Sequence, residues 1–296
     1  MIHNENSRVK IPALVHLTRL KYDYLSLKQY NGGICSETNI FKSLFWDGVN
    51  RINGCTLSEQ DIDRLLGELT IKLSNDDLGR AFYKILLDGI NGLRMIDLED
   101  ESRNTYHAVT ELTYRNGEDE FRPDITLLIN GLPLAFVEVK KPNNRDGIIA
   151  EHNRINTRFS KEVFRRFVNI TQLMVFSNNM EYDDADPEPI EGAFYASSSY
   201  QKLFFNRFRE EEPQLHTAIQ EIDGQKEDFI LSDNNLVSIK GTSEYCTNLN
   251  GLTPTNRILT SLFSHNRFLK LLKYGFAYVE RTNKDGIKTL EKHVMR

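Results

Sequence analysis

The 296-residue sequence contains no apolar run of the roughly 18 to 20 residues that a helix needs to cross a bilayer. Its first ten residues are polar and charged and contain no signal-peptide pattern. We therefore expect a cytoplasmic protein with no membrane partner. Hydrophobic residues make up 40% of the chain and charged residues 27%, which excludes the disordered and fibrous classes and favours a globular protein.

Cysteine is scarce, because the sequence has only Cys35, Cys55 and Cys246, which lie far apart. An odd number at such spacing argues against a disulfide framework and against a zinc site built from cysteines. An excess of positive charge is also absent, since the formal net charge is -5. Any binding to DNA must therefore depend on a local basic surface or on partner subunits.

No G-x-x-x-x-G-K-[ST] phosphate-binding loop occurs in the sequence, so we do not expect this chain to hydrolyse ATP. There is also no internal repeat and no low-complexity tract. The chain is long enough for one large or two modest domains, each with its own core.

Apolar residues recur at helical spacing in the first third of the chain. Helices are predicted at residues 36–46, 59–73 and 78–88. Ser58, followed by Glu59 and Asp61, is a candidate cap for the second of these helices. Residues 1–95 are therefore predicted to be mainly helical.

From about residue 106 the pattern changes to that of strands rich in β-branched and aromatic residues. Long helices are predicted at 146–168 and at 258–274, the second of which Thr253 and Pro254 would start. This order of elements predicts an α/β domain of about 200 residues with a boundary near Pro213. Strands are predicted at 107–114, 125–129, 132–140, 172–177 and 192–197.

Asn130-Gly131, between two of the predicted strands, is typical of a tight hairpin turn. A plain two-residue turn would pair Asp124 with Val137 and direct the Asp124 and Glu138 carboxylates to opposite faces. We therefore predict an odd-length loop with Gly131 in the left-handed conformation as a bulge, which brings both carboxylates to one face.

Four residues on this predicted hairpin could together cleave a phosphodiester bond. Asp124 and Glu138 supply two carboxylates and the backbone carbonyl of Val139 a third oxygen, which are the hard ligands that Mg²⁺ prefers. Lys140 lies two residues after Glu138 and therefore on the same face of the strand. Its amine could orient or help deprotonate an attacking water and stabilise developing charge. By spacing alone, however, a charged hairpin exposed to solvent is the simpler interpretation.

These residues resemble the PD-(D/E)xK nuclease signature, and the surrounding sequence is similar to the restriction (R) subunit of type I restriction-modification enzymes. The resemblance extends over nearly the whole chain. The short nuclease motif is weak on its own, whereas the similar segments together are specific. These segments are Pro123-Asp124, Glu138-Val139-Lys140-Lys141-Pro142, SETNIF at 36–41, NDDLGR at 75–80 and NITQLMVFSNNMEY at 169–182.

The resemblance implies a restriction-endonuclease-like α/β core with a mixed sheet flanked by helices. It implies that Asp124, Glu138 and the Val139 carbonyl bind Mg²⁺ and that Lys140 is catalytic. It further implies cleavage of unmodified double-stranded DNA in a complex with methylation and specificity subunits. ATP would be a cofactor only of the full-length subunit, and the chain is expected to be a fragment that ends near the start of its motor.

Many nucleases of this kind place an acidic residue on the first helix and a Gln-x-x-x-Tyr element on the helix after the lysine. Glu37 is the candidate for the acidic residue. The Gln-x-x-x-Tyr element is missing from the predicted helix 146–168, whose basic face could follow a DNA backbone or simply be solvated. Contacts to DNA are assigned to four residues, Lys141, Asn153, Arg154 and Arg158.

The predicted organisation is an endonuclease domain at 1–212, with a helical part at 1–95 and the catalytic sheet and helix at 106–200. Residues 213–296 are predicted to be a connector to the absent motor. An alternative function is a catalytically weak docking module that binds partner subunits or DNA. Metal binding that depends on Asp124 would distinguish the endonuclease from this alternative.

Overall fold

A central sheet organises the protein in the computed structural model, which describes residues 4–142, 147–182, 191–208, 219–282, 286 and 288–295. The strands in chain order are β1 (Asp23–Tyr24), β2 (Tyr106–Thr110), β3 (Tyr114–Asn116), β4 (Asp119–Phe121), β5 (Ile125–Ile129), β6 (Leu132–Val139), β7 (Leu173–Ser177), β8 (Ala193–Ala196), β9 (Asn206–Arg207), β10 (Phe276–Thr282) and β11 (Lys288–Val294).

The sheet has seven strands in the order β1-β2-β5-β6-β7-β8-β9. Strand β1 pairs with β2, and β6 with β7, in parallel, whereas the other neighbours are antiparallel. Two further hairpins, β3–β4 and β10–β11, stand outside this sheet. A mixed sheet flanked by helices is the predicted architecture, and the prediction of an α/β core is confirmed.

Helices cover both faces of the sheet. They are α1 (Ile11–Arg19, preceded by a π-helical segment at Asn6–Lys10), α2 (Lys42–Asn53), α3 (Glu59–Leu73), α4 (Arg80–Asp88), α5 (Gly147–Phe159), α6 (Arg165–Ile170), α7 (Gly224–Asp233), α8 (Ser243–Asn248), α9 (Pro254–Phe263) and α10 (His265–Tyr274). Among the described residues, none of these helices is both long and apolar enough to span a membrane.

The two faces of the sheet bury different cores. One face packs aliphatic side chains such as Leu127, Val137 and Val175 against helices that include α1, α3, α4, α9 and α10. The other packs a mainly aromatic cluster, with Phe136 and Phe176 from the sheet, against α5, α6 and the β3–β4 hairpin. Alternation along β6 therefore assigns Glu138, two residues after Phe136, to the face that α5 covers.

Helix starts were predicted well where a cap is present. Helix α3 has the predicted bounds, and Ser58 and Asp61 form a reciprocal capping box. Helix α9 begins at Pro254 as expected. The helix predicted at 36–46 was wrong at its start, because residues before Phe41 form a loop with Asn39 at φ 59° and α2 begins only after it.

Both long predicted helices are interrupted. The first divides into α5, a 3₁₀ turn and α6, and the second divides at Ser264 into α9 and α10. Phe159 and Phe164 both enter the aromatic cluster, and Phe263 and Phe268 both enter the aliphatic core. The segments on either side of each break therefore contribute to one core.

The C-terminal part shares the aliphatic core with the rest of the protein. Ile230, Ile258 and Phe276 belong to the same buried cluster as Leu14 and Leu127. Helices α7 and α8 and the β10–β11 hairpin were not predicted. The boundary expected near Pro213 lies outside the described residues, and the division into two domains stays a prediction.

Candidate active site

The hairpin of β5 and β6 carries the predicted site, and its turn is a plain two-residue turn. Ile129 pairs with Leu132, and Asn130 and Gly131 have φ values of 48° and 77°, the double positive φ of a type I′ turn. The predicted odd-length loop is therefore wrong. A Cβ atom on Gly131 would lie 2.6 Å from the carbonyl oxygen of Phe41, so the tight tip also fits against the start of α2.

The tight turn alone would direct the Asp124 and Glu138 carboxylates to opposite faces of the hairpin. An extra residue within β6 restores the register that places them on one face. The pairing shifts by one residue midway along β5, and Leu134 is the unpaired residue of the resulting bulge. Beyond it, Ile125 pairs with Val137. Asp124 and Glu138, each one residue further along its strand, therefore face the same side, as predicted, although the bulge lies in β6 and not in the loop.

Backbone hydrogen bonds fix Asp124 against the end of β6. Its Oδ2 accepts a hydrogen bond from the backbone N–H of Val139 at 2.9 Å, and its backbone carbonyl accepts one from Glu111 at 3.2 Å. The backbone N–H of Lys140 donates to the Ser177 carbonyl at 2.8 Å, which extends the pairing of β6 with β7. The Asp124 carboxylate is thus tied to the backbone of Val139 at the end of β6.

Lys140 lies among the site's oxygen atoms. Its Nζ is 3.6 Å from Glu138 Oε2 and 3.3 Å from Glu151 Oε2, and it donates to the Val139 carbonyl at 3.0 Å. The side chains of Lys140 and Glu138 are only 15% and 4% exposed. The interpretation of these residues as part of a charged hairpin exposed to solvent is therefore wrong.

In this cluster the negative charge of the carboxylates exceeds the positive charge of Lys140. Burial, then the negative charges of Asp124 and Glu151, raise the pKa of Glu138 well above its ordinary value, and Lys140 only partly offsets this. Burial acts to lower the pKa of Lys140, but Glu138, Glu151, Glu5 and Asp124 outweigh it, so this pKa is raised. Glu138 Oε1 is buried and receives no hydrogen bond from an N–H or hydroxyl group of the described residues.

These features fit a small divalent cation held by few protein ligands. Among the described residues there is no group of three His, Cys, Asp or Glu side chains suited to a metal ion, so a site closed by protein ligands alone is not formed. Asp124 and Glu138 offer two carboxylates, one with a buried oxygen that lacks a donor. Mg²⁺ usually retains several waters and needs only one or two protein carboxylates. The donor set therefore suits Mg²⁺ better than Ca²⁺ or Zn²⁺.

The structure does not bring Glu37 to this cluster. Its carboxylate pairs with Arg166 of α6, and it lines a cleft with Lys42 and Asp63 between the loop before α2 and α3. None of its described contacts is with Asp124 or Lys140.

Two acidic residues that the sequence analysis did not single out lie beside Lys140. Glu5, which precedes the first helix, accepts a hydrogen bond from the backbone of Lys141, and burial raises its pKa despite the nearby charge of Lys140. Glu151 lies on α5 and its side chain is 2% exposed. A signal was present for Glu151, because it falls at helical spacing within the apolar stripe that includes Ile148 and Ile155. The polar first ten residues offered none for Glu5.

The predicted DNA-binding residues lie at the end of β6 and on α5. Lys141, Asn153 and Arg154 are exposed, whereas Arg158 is half-buried, with its guanidinium 4.8 Å from the ring centre of Phe121. Arg154 and other basic side chains of the expected track are paired with carboxylates. These pairs are Arg154 with Glu151, Lys161 with Asp119, Arg165 with Asp76 and Arg166 with Glu37.

Comparison with known proteins identifies the family of the chain. The family model described as "Type I restriction enzyme R protein N terminus" matches residues 2–213. A relative from Methanocaldococcus jannaschii, named as the type I restriction enzyme MjaIXP endonuclease subunit, is 26% identical over 207 residues, which are 62% of this chain and 19% of the relative. The HindI endonuclease subunit of Haemophilus influenzae is 28% identical over 158 residues, which are 48% of this chain and 15% of that subunit.

The matched part is therefore a fifth or less of the length of these curated relatives. The match of the family model nevertheless includes every predicted site residue, from Glu37 to Arg158. This chain belongs to the family of N-terminal regions of type I restriction enzyme R proteins.

Proposed function

We propose that the chain is the Mg²⁺-dependent endonuclease portion of a type I restriction enzyme R subunit, and that it hydrolyses phosphodiester bonds of unmodified double-stranded DNA. It would do so in a complex with methylation and specificity subunits. One observation carries the proposal: two carboxylates from adjacent strands share one face with a lysine amine, and a buried oxygen of Glu138 has no donor. A buried carboxylate in that state is stabilised by a cation.

Asp124 and Glu138 would hold Mg²⁺, and the Val139 carbonyl could join them if the Lys140 amine leaves it. The ion would supply Lewis-acid stabilisation of the charge that develops on the phosphoryl oxygens. Lys140, held within 4 Å of Glu138 and Glu151, has amine hydrogens to donate to a phosphate oxygen or to the attacking water. The hydrogen bond from the Val139 backbone N–H to the Asp124 carboxylate keeps these groups in place before substrate arrives.

The exposed side chains of Lys141, Asn153 and Arg154 would contact the DNA backbone next to this site. Contacts of this kind position the duplex but carry no sequence information, so recognition of a DNA sequence would fall to a partner subunit. The surplus of acidic over basic residues in the chain agrees with dependence on partners for affinity.

The proposal is tested by calorimetric titration of Mg²⁺ into the chain, followed by cleavage of plasmid DNA. Binding should be lost in Asp124→Ala and retained in Asp88→Ala, which removes an exposed aspartate at the end of α4. Lys140→Ala should bind the ion but cut poorly. No Mg²⁺ binding by the wild-type chain would reject the nuclease centre and favour a docking module for partner subunits or DNA.

A further inference from the structure

Glu151 pairs with both the exposed guanidinium of Arg154 and the largely buried amine of Lys140. Its carboxylate accepts a hydrogen bond from Arg154 Nε at 3.0 Å, and its Oε2 contacts both a second guanidinium nitrogen of Arg154 and Lys140 Nζ, the latter at 3.3 Å. Arg154 is 50% exposed, whereas Glu151 is 2% exposed. The guanidinium thus closes the site on its outer side and fixes the orientation of the Glu151 carboxylate.

Lys140 has two carboxylates within reach, and they compete for its amine. Its Nζ is closer to Glu151, at 3.3 Å, than to Glu138, at 3.6 Å. Without Glu151, the nearest carboxylate to the amine would be that of Glu138, with Glu5 and Asp124 as further negative neighbours. An amine drawn closer to Glu138 would occupy the space and neutralise the charge that a metal ion requires.

We propose that Glu151 is a positioning residue that holds the Lys140 amine beside the carboxylate pair, so that Asp124 and Glu138 stay open to a divalent cation. The inference rests on the proposed function. Glu151 and its partner Arg154 both lie on α5, one helical turn apart, so the helix itself holds the carboxylate beside the lysine.

A double-mutant cycle of Glu151→Gln and Lys140→Met, read by calorimetric titration with Mn²⁺, tests the proposal. Glutamine keeps the size of the side chain and removes the charge. In the presence of Lys140, Glu151→Gln should weaken Mn²⁺ binding by about 10- to 100-fold, the range for a residue that orients a neighbour of a metal site. In the Lys140→Met background, Glu151→Gln should change the affinity by less than about 3-fold, because no amine is left to move.

Equal losses of affinity in both backgrounds would show that Glu151 acts on the ion directly and would overturn the proposal. No loss in the Lys140 background would overturn it as well. The control is Glu162→Gln, an exposed glutamate just beyond α5, which should leave the affinity unchanged. Thermal melting of each variant without metal shows whether the fold is retained.

A second measurement separates this inference from the proposed function. In metal-free protein, the ¹H–¹⁵N signal of the Lys140 ammonium group, assigned by its absence in Lys140→Met, reports whether the amine is held. It should shift or vanish in Glu151→Gln and persist in Glu162→Gln. If wild type binds no Mn²⁺, the nuclease centre is rejected, and this signal alone decides the placement of Lys140: an unchanged signal in Glu151→Gln overturns it.

Discussion

Replacing Glu138 by glutamine is predicted to stabilise the protein in the absence of metal. The carboxylate is buried, its Oε1 lacks a donor among the described residues, and the charges of Asp124 and Glu151 lie nearby. A neutral amide of the same shape removes the buried charge and can donate to Asp124. Relieving one unsatisfied buried group is worth about 1 to 3 kcal/mol of unfolding free energy. For a chain of this size, that raises Tm by roughly 2 to 5 °C.

The same carboxylate gives the stability a pH dependence whose sign follows from its environment. In the unfolded chain Glu138 titrates near its ordinary pKa of 4.5, whereas burial raises its pKa in the folded protein. Between these two values the folded state binds more protons than the unfolded state, so the unfolding free energy falls as pH rises above 4.5. Glu138→Gln should remove this part of the decline.

Urea unfolding in EDTA, followed from about pH 5 to pH 8, measures both effects. The gain of Glu138→Gln over wild type should grow with pH and be absent from the control Glu162→Gln. Added Mg²⁺ should stabilise wild type by mass action and leave Glu138→Gln unchanged. If Glu138→Gln is less stable than wild type in EDTA throughout this pH range, the inference that the buried Glu138 carboxylate destabilises the metal-free protein is wrong.

Three further predictions concern other parts of the protein. Burial lowers the pKa of Lys292 to about 7, and its Nζ donates to Gln172 at 2.7 Å. Between this pKa and the ordinary value of 10.5, the unfolded chain binds more protons than the folded protein. The unfolding free energy of the wild type should therefore rise with pH across that range, and Lys292→Met should flatten this rise in urea titrations. The buried side chain of Asn130 accepts a hydrogen bond from the Thr105 backbone and donates one to the Met95 carbonyl. Asn130→Ala should therefore lower the unfolding free energy, measured with urea, by about 2 to 4 kcal/mol without changing Mn²⁺ affinity. Lys141→Ala should weaken binding of a labelled DNA duplex in fluorescence anisotropy and reduce the slope of log affinity against log salt by about 1, and an unchanged slope would remove Lys141 from the DNA contacts.

Local sequence signals predicted the elements that depend on local chemistry. The Ser58 capping box fixed the start of α3, Pro254 that of α9, and Asn130-Gly131 the position of the hairpin turn. The requirement that two carboxylates share a face also predicted correctly that the register must shift by one residue. It did not locate the shift, although a local signal was present: Pro133, which has no backbone N–H to donate, directly precedes the unpaired Leu134.

Features set by packing between distant segments were not predicted. The breaks near Ser160 and at Ser264 were missed, since the segments on either side of each break pack into the same core and the apolar pattern shows no interruption. Glu5 reaches the site only because the N-terminal segment folds back beside Lys140. Glu37 was chosen by its place in the chain, and its pairing with Arg166 depends on how α6 lies against the loop before α2.

The most direct test of the central claim is an anomalous difference map from crystals of the chain soaked in Mn²⁺. The account predicts one strong peak within ligand distance of the Asp124 and Glu138 carboxylates, with Lys140 Nζ beside it, and no such peak in Asp124→Ala. An empty site at saturating Mn²⁺, or a peak only on other carboxylates, would contradict the metal centre on which the proposed nuclease function depends.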